Sequence, residues 1–241
     1  MMIWVRKIHK WASLLIGLQV FIWVASGLTF NVIDHDKARG NVYRQTLITK
    51  QSTIANKDLL PVEVILKSYP DTIELNQANI LSQPYYLLTQ QHGLYRHLPN
   101  SYHIVNAITG ELTLVDEQLA TAIAKASYNG PGNIKSVVLI ASTISDYPKQ
   151  QNPSWQINFD DDLETSVYVE QGSGRLVGHS NSDKRFADFF FMLHFMDYGT
   201  EGSFNTVQMM LFAFITLWLT FSGLIWTIHM LRKGKYRVKK L

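Results

Sequence analysis

The sequence predicts a membrane protein of the α+β class: two transmembrane helices flanking a periplasmic domain made of duplicated helix-plus-antiparallel-sheet units. Three observations lead there. Long uncharged apolar runs lie near both ends, basic clusters lie outside them, and the order of elements between them repeats. Trp11 to Ile33 carries no formal charge, and Val207 to Leu231 carries none apart from His229. Each run exceeds the ~20 residues that a helix needs to cross ~30 Å of hydrocarbon. The first is also longer than the roughly 7–15 residues of a signal-peptide core. Val24 to Gly27 is only a weak cleavage pattern, so a retained helix is expected.

Charge sets the expected orientation. Arg6, Lys7 and Lys10 precede the first run; Arg232, Lys233, Lys235, Arg237, Lys239 and Lys240 follow the second. Neither flank holds an acid, so all 19 Asp and Glu lie between them and make the middle net acidic. Positive flanks stay in the cytoplasm. The expected plan is a cytoplasmic flank over 1–10, a first span over 11–33, a periplasmic domain over 34–204, a second span over 205–231 and a basic cytoplasmic tail over 232–241. This places the chain in a bacterial inner membrane, in contact with membrane lipid. Topology accounts for the basic tail, and no nucleic-acid partner is expected.

The chain has no cysteine. That excludes disulfides, thioether-linked haem, iron–sulfur clusters and thiolate zinc sites. Any redox centre must be held by histidine, by methionine or non-covalently.

The middle of the chain reads as two similar halves, over about 58–115 and 116–180, followed by a membrane-proximal helix over about 182–198. Pro61 to Ser68 has Val62, Ile65 and Leu66 on one side of a short helix. Asp116 to Ser127 is a second helix with Asp116 as its N-cap. Three strand-like pieces follow each helix. Ile104–Leu112 matches Tyr168–Leu176, each with a Thr-Gly or Ser-Gly turn in which Gly110 or Gly174 supplies positive φ.

Soluble catalytic signatures are missing: the sequence has no phosphate-binding Gly-rich loop, nucleophile triad order or HExxH. The carboxylates in Phe159 to Glu164, FDDDLE, suit a hard cation, although a solvated hairpin tip explains them more simply. His92, His97 and His103 fall near one turn and are metal candidates, against the blander reading of loop histidines.

The remaining candidates border the apolar runs. His9 and His229 belong to the same, cytoplasmic end if both termini are inside. Ser13 and Gly17 follow His9 at i+4 and i+8, and Ser222 precedes His229 by seven residues, leaving room for a macrocycle or another helix. On the outer side, His35 follows the first run, and His194 sits in the aromatic segment FADFFFMLHFMDYG before the second. Histidine at a span end is readily solvated at the interface. It is also a haem ligand when its other ring nitrogen is hydrogen-bonded.

The termini resemble the PepSY-associated transmembrane family. His9, Lys10 and Trp11, followed by an apolar helix ending in Ser26-Gly27, look like its first span. Leu193-His194, a bend with Gly199 and Gly202, and a helix ending in Ser222-Gly223-Leu224 and Trp226 look like its later span. The duplicated unit resembles PepSY domains. Members of that family include inner-membrane ferric-siderophore reductases with b-type haems. The resemblance therefore implies one or two haem b groups, His9 and His194 as axial ligands, and electrons passed to a ferric siderophore or flavin. His229 and His35 are added as ligands on position alone. Larger members have four spans and this chain two, so a homodimer or a partner membrane subunit is expected. The alternative is a non-enzymatic, membrane-anchored PepSY module for binding, assembly or regulation.

Overall fold

The computed structural model describes residues 2–46, 59–199, 202–203 and 205–234, with side chains from residue 7 onward. Arg6's side chain and the basic residues from Lys235 onward, which set the expected orientation, lie outside the described residues. The chain is α+β and divides into two units: Met1–Val32 with Phe189–Leu241, and Ile33–Asp188.

The first unit contains the helices α1 (Met2–Val32) and α6 (Val207–Arg232). Both are long and apolar enough to cross a membrane. Helix α1 continues without a break through the basic flank. Trp23 meets Phe212, with ring centroids 6.1 Å apart, and His9 meets Trp218 at 6.4 Å, so the two helices run antiparallel. Ile16, Phe212 and Met196 form a small buried cluster with Trp23, Ile215 and Leu219 against it. Most other large side chains on the pair, including Leu14, Phe21, Phe214 and Ile225, point outward and exposed. A helix apolar on every side is not made for a water-facing surface. Thr206 caps α6 by accepting from the Met209 amide.

The second unit opens with α2 (His35–Ala38), capped by the Asp34 carboxylate. Then come α3 (Val62–Ser68) and four strands, β1 (Glu74–Ile80), β2 (Gln83–Gln91), β3 (Ser101–Asn106) and β4 (Leu112–Thr113). Helix α4 (Glu117–Ser127) and four more strands follow: β5 (Ile134–Ile140), β6 (Ser154–Phe159), β7 (Ser166–Glu170) and β8 (Leu176–Ser180). Asp116 caps α4 as expected, accepting from the Leu119 amide at 2.8 Å. Each half is therefore a helix and a four-stranded antiparallel meander, in the orders β1-β2-β3-β4 and β5-β6-β7-β8. The expected three strands gain a fourth because the residues after each Gly turn pair back onto the third.

The repeat extends to single hydrogen bonds. Val105 pairs with Leu112 and Val169 with Leu176. The Gly110 and Gly174 amides donate to Asn106 and Glu170 carbonyls, each at 2.9 Å. The next residues, Ala107 and Gln171, donate to Pro84 and Pro153. Thr109 and Ser173 occupy the same turn position, and each hydroxyl accepts from the amide two residues on.

Side chains alternate along the strands. One face of the first sheet, with Tyr86, Leu88 and Val105, packs with Ile65 of α3. Ile80, Tyr85 and Ile104 join Ile123 of α4 and Ile157, Val167 and Val169 of the second sheet in a core shared by both halves. Helix α5 (Ser182–Phe195) follows β8 and leads the chain back to the first unit.

Candidate functional site: two histidine–serine–glycine contacts

The first unit brings together residues far apart in sequence at two places, and the two are built alike. Near one end of the helix pair, His9 Nδ1 lies 3.2 Å from Ser222 Oγ. The ring sits over Gly223, where an added Cβ would come within 4.0 Å of its Cε1. Near the other end, His194 Nδ1 lies 2.9 Å from Ser26 Oγ, and an added Cβ on Gly27 would come within 3.7 Å of its Cε1. Phe30 and Phe195 flank the His194 ring, with centroids 5.5 and 5.0 Å away. In both cases a histidine on one helix rests on a Ser-Gly pair of another.

The serines decide which ring nitrogen carries the proton. Ser26 Oγ donates to the Ile22 carbonyl at 2.7 Å, and Ser222 Oγ donates to Leu219 at 3.0 Å. A hydroxyl has one proton. We assign that proton to the helix backbone, where the oxygen–oxygen distance is the shorter, so each serine accepts from its histidine and Nδ1–H is the tautomer assigned to both rings. Nε2 then keeps its lone pair, and in neither ring does it have a hydrogen-bond partner among the described residues. This arrangement suits a metal ligand: one nitrogen free, the other held by a second group that fixes tautomer and orientation. Each ring edge lies against a glycine of the facing helix. The residues present thus fit one axial ligand to a haem iron at each end of the pair.

Positions 9 and 26 are 17 residues apart on α1, or ~25 Å at 1.5 Å per residue. His9 and His194 cannot share one iron. His229 is exposed two turns beyond Ser222 on α6, and no hydrogen bond or ring contact joins it to His9. His35 belongs to the other unit, exposed at the start of α2.

The other candidates are separately engaged. His92 Nε2 is 3.0 Å from Glu74, His97 stacks on Tyr95 at 5.4 Å, and His103 Nδ1 accepts from Gln90 at 2.8 Å. No group of three metal-ligating side chains occurs among the described residues. In FDDDLE, Asp160 accepts from the Asn133 amide, Asp162 from the Tyr43 hydroxyl, and Asp161 from Tyr128 and two amides. Burial pushes the Asp161 carboxyl up, but hydrogen bonds from Thr165, Tyr128 and Leu163 outweigh it and hold it below the usual range. Asp161 closes the hairpin turn itself, while Asp160 and Asp162 tie it to Asn133 and Tyr43.

Sequence reasoning named both histidines and both Ser-Gly pairs but not which pair faces which ring. It missed Glu170, wholly buried and held by Gln150, Asn152, Ser173 and Arg175. A glutamate ending the strand SVYVE carries no signal of this.

No known family model, curated protein or solved structure matches this chain.

Proposed function

We propose that this chain is an inner-membrane electron-transfer protein of the PepSY-associated kind, with both termini cytoplasmic, its domain periplasmic, and haem b held at one or both ends of the helix pair. The observation that carries the reading is the doubled contact: His9 on Ser222-Gly223 and His194 on Ser26-Gly27, each with a free Nε2. Their ~25 Å separation along α1 approaches the hydrocarbon thickness, so the pair suits two interfaces of one bilayer.

Haem bound there supplies one-electron chemistry, with a potential set by axial ligand, burial and hydrogen bonding. The chain's own residues do the positioning. Ser26 and Ser222 hold the Nδ1 proton and aim the ring, which rests against Gly27 or Gly223. Each end offers one imidazole, so a bis-histidine site draws its second from a homodimer partner or another membrane subunit. Ser13 and Gly17 are exposed on α1, with nothing within 4 Å of a Cβ at Gly17, and give such a helix a place for close approach. A ferric siderophore or flavin is the proposed periplasmic acceptor.

The test is the reduced-minus-oxidised absorption spectrum of protein purified from a haem-replete host. A Soret and α band is expected, diminished in His9→Ala and in His194→Ala. Ser26→Ala and Ser222→Ala should keep the band but weaken haem retention by roughly 10–100-fold, the usual effect of losing the group behind a ligating histidine. A colourless protein would sink the redox reading and leave an anchored binding module.

A further inference from the structure

The second unit contains a cleft of about 720 Å³ where its two halves meet. Its floor is the face of the first sheet that carries Asn76, Leu87 and Tyr102, and its walls are the loop after β2 and the turn between β7 and β8. The volume falls in the range of small-molecule sites, which favour such junctions.

The polar groups in it are unevenly matched. Arg175 is tied to Glu170 by an Nη2–Oε1 distance of 3.0 Å, yet its Nε is buried without a partner. Arg96 lines the cleft and makes no ion pair among the described residues. Tyr102 lies within the field of both arginines: burial and Glu170 raise its pKa while Arg175 and Arg96 oppose the rise. The cleft thus presents the Arg96 guanidinium and the Tyr102 phenol, while the Arg175 Nε lies buried behind its wall. Ile80, Leu87 and Leu176 supply apolar lining.

We infer that this cleft binds a small organic carboxylate, its anionic head at Arg96 and Tyr102 and its organic part towards Ile80. A guanidinium matches a planar carboxylate through two parallel hydrogen bonds. Glu74 and Glu170 also line the cleft and disfavour a multiply charged inorganic anion. The Glu170 network sets the turn that carries Arg175, which explains a fully buried carboxylate so close to solvent-facing groups. The inference stands apart from the electron-transfer reading, since none of its residues belongs to the helix pair.

The test is isothermal titration of the full chain, in detergent, with benzoate, phenylacetate and hippurate, and with inorganic phosphate and an uncharged amide of hippurate as comparisons. At least one carboxylate is expected to bind at millimolar Kd or tighter. Arg96→Ala should weaken it at least tenfold, Arg96→Lys less, and Lys135→Ala, outside this cleft, not at all. Rising salt should weaken it as well. The inference is overturned if no carboxylate binds, if phosphate or the amide binds equally well, or if Arg96→Ala leaves binding unchanged. The absorption spectrum should be the same in Arg96→Ala and the parent, so loss of either property is read separately.

Discussion

His179 shows how one side chain's surroundings set its chemistry. It is buried in the second sheet, with Nε2 2.9 Å from Ser127 Oγ. Ser127 donates its own proton to the Ala124 carbonyl, so here Nε2 carries the hydrogen, the opposite of His9 and His194. Burial, with a smaller push from the Arg44 charge, lowers its pKa to about 4. The unfolded chain holds the same imidazole near its ordinary 6.5. As pH falls below about 6.5 the unfolded state takes the proton first, so stability is full above that value and is lost on the way down to pH 4. The loss amounts to about 3 kcal/mol. Thermal melts of the parent and of His179→Gln across this window should diverge, the parent falling more steeply; parallel curves would show that His179 contributes nothing there.

Among the elements, the turns that close β3–β4 and β7–β8 matter most to the repeat. Gly110 and Gly174 have φ of +76° and +65°, where a Cβ costs about 1–2 kcal/mol. A Cβ on Gly174 would also press to 3.1 Å from Ile80 Cδ1, and one on Gly110 to 2.9 Å from Leu60 Cδ1. Gly110→Ala and Gly174→Ala should each lower the stability of the second unit by at least that amount, read by denaturant unfolding. If either is neutral, its turn does not hold the fourth strand in register. These turns were legible beforehand because Thr-Gly and Ser-Gly after an alternating run leave few other backbone choices. The two-residue strand β4 was not, since it exists only by pairing with β3.

At the scale of the whole molecule, the proposed topology is directly testable, because the sequence has no cysteine of its own. With single cysteines at Asp71→Cys in the domain and Lys233→Cys after α6, both at exposed positions, a membrane-impermeant maleimide should label the first in intact spheroplasts. It should label the second only after lysis. The reverse pattern would invert the orientation. Equal labelling of both would mean that the helix pair does not span the bilayer.

Composition and periodicity alone determined every helix but the four-residue α2, most strands, the Asp116 cap and the repetition of the halves. These follow from local rules: apolar length, alternation, and residues that tolerate a given φ. The candidate ligands were visible too, because histidine at the edge of an apolar run stands out by type. Only the tertiary structure decided that Ser222 serves His9 and Ser26 serves His194, that both rings therefore leave Nε2 free, and that Glu170 is buried beside a cleft. The histidine contacts depend on which helix faces which across more than 160 residues of chain, and the burial of Glu170 on how its turn packs against the first sheet; no local preference encodes either choice.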